Sequence, residues 1–481
     1  MKKIMLIISG LLILNITTQA QNFKDALRLT EPEILTSARA LSFGNAYTAL
    51  SNDFSASLFN PAGFGLIKKS EFSGALSYNS FNNSTTFFNK NVNYSNSITK
   101  LSEFGFAFPL PTKRGSLVFA LGYNQLKDFN YTMKFDGYNP NNNSLIQDLT
   151  SNNDDIAYEL ALSYPVYNKS NKYVYDTTLI NGRLNQSGKI TQDGGLHSWS
   201  FSGAVEIQKD VFLGATLNII NGDFKRDRQY WEDDVNDYYN INFLLDPSEP
   251  KTRDFQTFYM NDIIRWDVSG WNLNLGLLTR INDKFNIGFS IKTPRKFTIR
   301  ETYFVDAYSQ FAQTRFSLNP PIENRIEYKI NTPYEFSLGA AINEKNLLIS
   351  FDAKFIDYTQ MEFTSGLDLR DIEKNNRDIK ELFRQVINLH AGVEYEIPYV
   401  NLALRGGFMI LPSPYKDDPA EYDKKFITVG LGLNPSRNLS FNITYAYGWW
   451  KDFGDNYGTN LSRTYQDITR NNFIAGIRYS F

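Results

Sequence analysis

Apolar residues recur at every second position along most of this chain, a period that β-strands with one apolar face satisfy and helices do not. Leu117, Phe119, Leu121 and Tyr123 share one face, as do Leu213, Ala215, Leu217 and Ile219. Leu273, Leu275 and Leu277 are followed by Phe285, Ile287, Phe289 and Ile291, and later by Ile349, Phe351, Ala353 and Phe355. The set continues with Ile387, Leu389, Ala391, Val393 and Tyr395, and is cleanest at Leu439, Phe441, Ile443, Tyr445 and Tyr447. The intervening positions are small, polar or charged. Mean hydropathy is polar at −0.37 although aromatics make up 15% of residues. A membrane barrel combines the two, because its strands show lipid only one residue in two while lumen and loops stay polar. A charge on the lipid face at mid-bilayer costs about 2–4 kcal/mol, so parity is strongly enforced. No stretch after the amino end approaches the length of apolar sequence that a spanning helix needs.

The breaks between strands fall into two classes. Short turns are expected at Pro111–Gly115, Gln208–Asp210, Asn282–Lys284, Glu344–Lys345, Ile397–Tyr399 and Pro435–Arg437. Longer connections are expected near 82–98, 136–195, 224–265, 307–322, 364–385, 413–424 and 451–469. Six short turns alternating with seven long loops require 14 strands, with both ends on the short-turn side. Bacterial barrels have even strand numbers, short periplasmic turns and long external loops. The fold class is therefore all-β, a 14-stranded antiparallel transmembrane barrel over residues 70–481. A soluble propeller also alternates, but it carries a fixed-period repeat that this sequence lacks.

Both ends fit this reading. Phe473, Ala475, Ile477, Tyr479 and Phe481 form a last strand ending on an aromatic residue. Gly476, Tyr479 and Phe481 resemble the carboxy-terminal signal read by the barrel-assembly machinery. At the other end, Lys2-Lys3, an apolar run from Ile4 to Ile16 and Ala20 read as a secretory signal peptide over 1–20, cleaved before Gln21. With no cysteine, neither a lipid anchor nor disulfides are expected. A net charge of −2 points to no nucleic-acid partner.

Fourteen strands enclose more lumen than wall side chains can fill. The plug expected for it is residues 21–69, which lack the alternation and carry the small residues Ala38, Ala40, Gly44, Ala46, Ala49 and Ala56. This segment, with Gly44-Asn-Ala at its start and Asn60-Pro61-Ala62-Gly63 at its end, resembles the amino-terminal hatch of the FadL/TodX family of outer-membrane transporters for hydrophobic molecules. The resemblance extends to Asn331-Thr-Pro-Tyr-Glu-Phe-Ser-Leu-Gly-Ala, Phe351-Asp-Ala-Lys-Phe-Ile-Asp-Tyr, Asn388-Leu-His-Ala-Gly-Val-Glu-Tyr, Leu404-Arg-Gly-Gly-Phe and Pro412-Ser-Pro. It implies a plugged, monomeric barrel with no cofactor or metal, capturing fatty acids or hydrocarbons at its outer loops. These would leave sideways into outer-membrane lipid through a gap made by an inward kink in the third strand. It also implies that Asn60, Pro61 and Ala62 sit against that kink. A non-transport alternative exists in the broad family, a shuttle or scaffold in protein secretion. A general diffusion porin is disfavoured by the hatch.

The third strand is expected at 115–135, and its alternation fails after Gly122, making Gly122, Asn124 and Phe129 the kink candidates. Trp231, Tyr238, Tyr239 and Phe243, in the expected loop at 224–265, either capture ligand or fold that loop over the mouth. Ile372, Ile379, Leu382, Phe383 and Val386 fit a short loop helix. Parity points Asp352, Lys354, Glu394, Arg405 and Arg478 into the lumen, where Lys354 and Arg405 either meet a ligand carboxylate or pair across the wall. His197 and His390 are the only histidines, and neither has a serine partner legible in sequence, so no enzyme is expected.

Overall fold

The computed structural model describes residues 21–32, 34, 37–151, 155–282 and 284–481. The expected signal peptide, 1–20, lies outside them. The wall is a closed barrel of 14 antiparallel strands. Strands one and two are Glu71–Phe87 and Lys90–Leu110. Strand three runs over Leu117–Asp128 and resumes as Tyr131–Asn139. Strands four, five and six are Leu184–Gln208, Val211–Asp233 and Phe255–Ile281. Strand seven is Phe285–Lys292 and Lys296–Phe311, and strand eight is Ile322–Asn331 and Glu335–Glu344. Strand nine is Leu347–Asp357 with its continuation Glu362–Ser365, and strands ten and eleven are Gln385–Ile397 and Leu402–Leu411. Lys424–Ser436, Leu439–Asp455 and Arg463–Ser480 complete the set. Strand fourteen pairs with strand one from Ser480 at Glu71 to Tyr465 at Thr86, so no edge is left there.

The apolar parity faces outward, as lipid requires. Leu213, Leu217, Ile219, Leu273, Leu275 and Leu277 are all exposed on the outer surface. Their neighbours Thr216, Asn218, Asn272 and Asn274 are buried toward the lumen.

The strands run further outward than the alternation indicates. The expected long loop at 82–98 is instead a ladder closed by a two-residue turn, with Phe88 at φ 41° and Asn89 at φ 62°. Its Ser, Asn and Thr residues are polar on both faces, so no parity reveals the strand. For the same reason Trp231 lies in strand five and Tyr259 in strand six, and the connection between them is only 234–254. Above the strands, helices α3 (Leu145–Ser151) and α4 (Asp155–Glu159) pack with Phe87, Phe135, Phe255 and Phe311 into one apolar cluster. The loop helix expected within 368–386 is α5, Leu369–Leu382; Phe383 follows its end and Val386 already lies in strand ten.

Candidate functional site: plug, lumen and a break in the wall

The described residues between Phe23 and Leu66 include four short helical turns inside the barrel, each with a polar cap. Helix α1 (Phe23–Thr30) starts on a capping box between Asn22 and Asp25, and α2 (Ala38–Ser42) starts on Ser37. The 3₁₀ turns Phe54–Ser57 and Pro61–Leu66 start on Asp53 and Asn60. Caps satisfy amide donors that no water reaches inside the lumen. Ala38, Ala40, Ala46, Ala49 and Ala56 are almost completely buried, so the small residues let the plug lie directly on the wall.

Wall glycines receive it. A Cβ at Gly392 would stand 2.4 Å from the Phe43 carbonyl, and one at Gly407 2.2 Å from the Gly44 amide. Asp352 accepts from the Tyr47 and Thr48 amides at 2.9 and 2.7 Å, and His390 Nδ1 donates to the Gly44 carbonyl at 2.9 Å. The lumen-facing Asp352 thus holds the plug.

Asn60, Pro61 and Ala62 occupy a different place from the one the resemblance implies. Asn60 Nδ2 donates to the Thr48 carbonyl at 2.9 Å and to the Leu277 carbonyl of strand six at 3.0 Å. A Cβ at Gly276 would meet Asn60 Oδ1 at 2.0 Å, and one at Gly214 would meet the Pro61 carbonyl carbon at 2.3 Å. The tripeptide is therefore seated on strands five and six. Phe54 and Ser57 take the position against strand three. Phe54 fills the socket left by the facing pair Gly105 and Gly122, and Asn124 Nδ2 donates to Ser57 Oγ at 3.0 Å.

Strand three changes partners at this level. Its ladder with strand two runs from Leu110 opposite Leu117 to Glu103 opposite Asn124 and ends there. Its ladder with strand four continues, slipping between Gln125 and Lys127, and resumes from Tyr131 to Asn139. Gly122 keeps regular partners on both sides, so the bend lies beyond it, from Asn124 to Asn130. Phe129 turns in against Phe224, with ring centroids 5.2 Å apart. Beyond the bend, Tyr131 packs on Phe81 at 5.2 Å and hydrogen-bonds Gln466 at 2.6 Å, and the Thr132 carbonyl accepts from Asn83 at 3.0 Å. The upper part of strand three therefore lies across the inner face of strands one and fourteen. Among the described residues, Lys90–Leu101 of strand two have no ladder on that side.

A cavity of about 450 Å³ lies behind the break, lined by the bend, by α1 and by strands twelve and thirteen. Phe81, Tyr131, Phe426 and Trp450 line it together with the cations Lys24, Lys127 and Lys424 and the carboxylates of Glu31, Asp128 and Asp452. Lys127 Nζ donates to the Glu31 carbonyl at 2.8 Å, and Lys424 Nζ to Glu31 Oε1 at 2.8 Å. Burial would push Glu31 up, but the ammonium groups of Lys424 and Lys127 outweigh it and hold the carboxyl below its usual range. Burial pulls the Lys24 ammonium down. Helix α1 is fastened from behind by Arg28, which pairs with Asp25 at 2.6 Å and stacks on Phe224 at 4.6 Å and Trp266 at 5.3 Å.

Lys354 and Arg405 already have protein carboxylates as partners. Lys354 lies 3.7 Å from Glu335, and Arg405 Nε bonds Glu394 at 2.5 Å and its Nη1 bonds Asn442 at 2.7 Å. Pairing across the wall, the other option open to them in sequence, is what the structure shows. None of the four loop aromatics lines the cavity. Tyr239 is buried, with its hydroxyl donating to the Gly182 carbonyl at 2.8 Å, and burial pushes that hydroxyl up to about 12. Phe243 packs on it at 4.8 Å, Tyr238 bonds Arg183, and Trp231 stacks against Tyr259 at 5.0 Å. These contacts fold the outer surface. At the seam, the Phe481 amide donates to the Ser70 carbonyl at 2.8 Å, while Tyr479 is exposed beside it and Gly476 pairs with Ala75. Sequence reasoning missed Phe54, Ser57 and Glu31. The facing pair Gly105 and Gly122 was the available signal for Phe54, because two glycines opposite each other leave a socket.

Solved structures with this architecture are similar to the chain. A Pseudomonas aeruginosa FadL homologue matches with TM-score 0.60 at 12% identity, covering 94% of this chain and 100% of that one. The P. putida toluene transporter TodX matches with TM-score 0.54 at 11% identity, covering 93% and 99%. The CymD monoaromatic hydrocarbon channel matches with TM-score 0.51 at 12% identity, covering 93% and 98%. No curated protein sequence matches. The family model described as outer membrane protein transport protein (OMPP1/FadL/TodX) matches residues 13–475, nearly the whole length, and the chain therefore belongs to this family of outer-membrane channels for hydrophobic compounds.

Proposed function

We propose that the protein takes up long-chain fatty acids, or amphiphiles of the same shape, passively, and releases them sideways between strands two and three. The observation that carries this reading is the end of the two-strand ladder at Asn124, directly in front of the cavity. The cavity's mixed lining favours an acid over a bare hydrocarbon. A hydrocarbon would be covered by Phe81 and Trp450 but would strip water from Lys24 with nothing in return, a cost that an acid's carboxylate avoids; Lys424 is already held by Glu31. An alkyl chain gains about 0.8 kcal/mol per buried methylene, which release into water would forfeit and release into lipid would keep. Lateral exit therefore needs no energy source. The toluene and monoaromatic cargoes named for TodX and CymD support a hydrophobic substrate of this general kind.

The test is binding of a fluorescent fatty acid to purified protein. Saturable binding displaced by unlabelled acid is expected. Linear, non-displaceable partitioning would overturn the reading.

A further inference from the structure

Where the ladder between strands two and three is missing, three side-chain bridges replace it. Lys90 pairs with Asp136, Asn96 Nδ2 donates to Asn130 Oδ1 at 2.9 Å, and Lys100 Nζ donates to Asp128 Oδ1 at 2.9 Å and to the Gly194 carbonyl at 2.5 Å. Lys100 is the lowest of the three and lies next to Leu101, opposite Ser77 and beside Tyr78, where the apolar band of strands one and two ends. Two of the three bridges join the cavity to the outside, since Asn130 and Asp128 both line it, and of these two Lys100 carries the charge. Asp128 lines the cavity and its side chain is 1% exposed, whereas the Lys100 side chain is 22% exposed.

The two partners are not equally committed to each other. Asp128 also accepts from Asn79 Nδ2 at 2.5 Å and from the Asn130 amide at 3.2 Å, and Arg470 stands 3.8 Å away. If Lys100 left, Asp128 would keep these donors and would not become a stranded buried charge. Lys100 would lose its carboxylate partner and accept another. From this asymmetry we infer that Lys100 is the specificity-determining residue of the lateral exit: an anionic headgroup leaving the cavity takes the place of Asp128 on its ammonium. A neutral molecule of the same length must part the bridge without that replacement. The inference rests on the lateral-release reading above and assigns the residue that selects at that exit.

The test uses the full-length protein in proteoliposomes with two probes of equal chain length, a fluorescent fatty acid and its methyl ester. Lys100→Met should lower uptake of the acid about tenfold, the value of one charge-assisted hydrogen bond, and leave the ester unchanged or faster. Lys100→Arg should restore the preference for the acid. Heat-modifiable gel mobility would show that each variant is a folded barrel. Equal changes for both probes, or no change for either, would overturn the assignment. The underlying reading is checked separately, because the chain has no cysteine of its own. Asn96→Cys with Asn130→Cys, bridged by a short bis-maleimide, should arrest both probes. Continued transport of both through the bridged protein would show that exit is not lateral, whatever Lys100→Met does.

Discussion

Asn60→Ala is the most direct test of how the plug is held. The side chain is completely buried and makes three hydrogen bonds: two donated to the Thr48 and Leu277 carbonyls, and one accepted from the Ala62 amide at 3.2 Å. Truncation leaves two carbonyls and one amide without that partner in a place water reaches poorly. Only the Leu277 bond joins plug to wall, so at about 1–2 kcal/mol for that group the seated plug loses that much relative to an unseated one that keeps its internal bonds. That shifts the ratio of unseated to seated states by about 5- to 30-fold. The barrel itself should stay folded, because its wall hydrogen bonds close on themselves. Two measurements follow: amide exchange over residues 45–66 should accelerate by that factor, and planar-bilayer conductance should show openings absent from the parent. Gly276→Ala attacks the same contact from the wall, since its methyl would stand 2.0 Å from Asn60 Oδ1. Truncating Asn60 removes that clash, so the double variant should cost less than the sum of the two. Unchanged exchange in Asn60→Ala, or strict additivity in the double variant, would refute the seating argument.

Four further outcomes are expected. Removing residues 21–69 should leave a folded barrel that conducts small hydrophilic solutes, measurable as a large step in planar bilayers. Phe481→Asp should block insertion, because it keeps the seam amide on Ser70 but replaces the exposed ring with a charge at the end of the lipid-facing row; loss of heat-modifiable mobility and of surface-exposed loops would show it. Arg405→Leu should cost about 3 kcal/mol in urea unfolding, the low end for breaking a buried pair, because Arg39 remains 3.9 Å from Glu394. Glu31 is held below its ordinary value of 4.5, so its grip on Lys424 is fully present above that pH and is lost as pH falls through the lower folded value; amide exchange in α1 should rise only on that acid side.

What sequence reveals here follows the membrane boundary. Between Leu213 and Ile219, or Leu273 and Leu277, a one-residue slip would put polar groups in lipid, so parity is enforced and legible. Above the boundary both faces are wet, parity carries no penalty, and Ser84 to Ser97 read as loop although they are ladder. The plug's small residues were legible as a packing signal, but their partners were not. Gly214 and Gly276 look like any small lumen residue until Asn60 and Pro61 are laid on them. The same holds for Lys100 and Asp128, 28 residues apart: the ladder register carried past Asn124 would put Lys100 opposite Lys127, and nothing in the sequence says that the ladder ends there and side chains take over. The failed alternation at Asn124–Phe129 falls where the ladder with strand two ends and the ladder with strand four slips. It could not say that the bend goes inward, because direction depends on Tyr131 finding Phe81 and Gln466 on other strands.

The position of the break follows from the same constraint that closes the rest of the wall. A sheet edge facing hydrocarbon leaves amides and carbonyls that lipid cannot satisfy, at several kcal/mol each, so an open ladder cannot extend far into the apolar band. Here the ladder is intact from Leu110 to Glu103, alongside the exposed Phe104 and Phe108, and stops where strand two turns into Ser, Asn and Thr. A bulge in strand two at Ser102 marks the change, where Ala75 faces Glu103 and Leu76 already faces Leu101. Above it the free edge lies where water and headgroups can solvate it, and Lys100, Asn96 and Lys90 span it with side chains instead of amides. Side-chain bridges can part and re-form one at a time, whereas a ladder must open as a run of coupled bonds. A barrel that has to stay closed to lipid yet let a ligand through its side is therefore expected to place its opening at the outer interface, with polar side chains across it. The break between strands two and three has this form, as the lateral release proposed above requires.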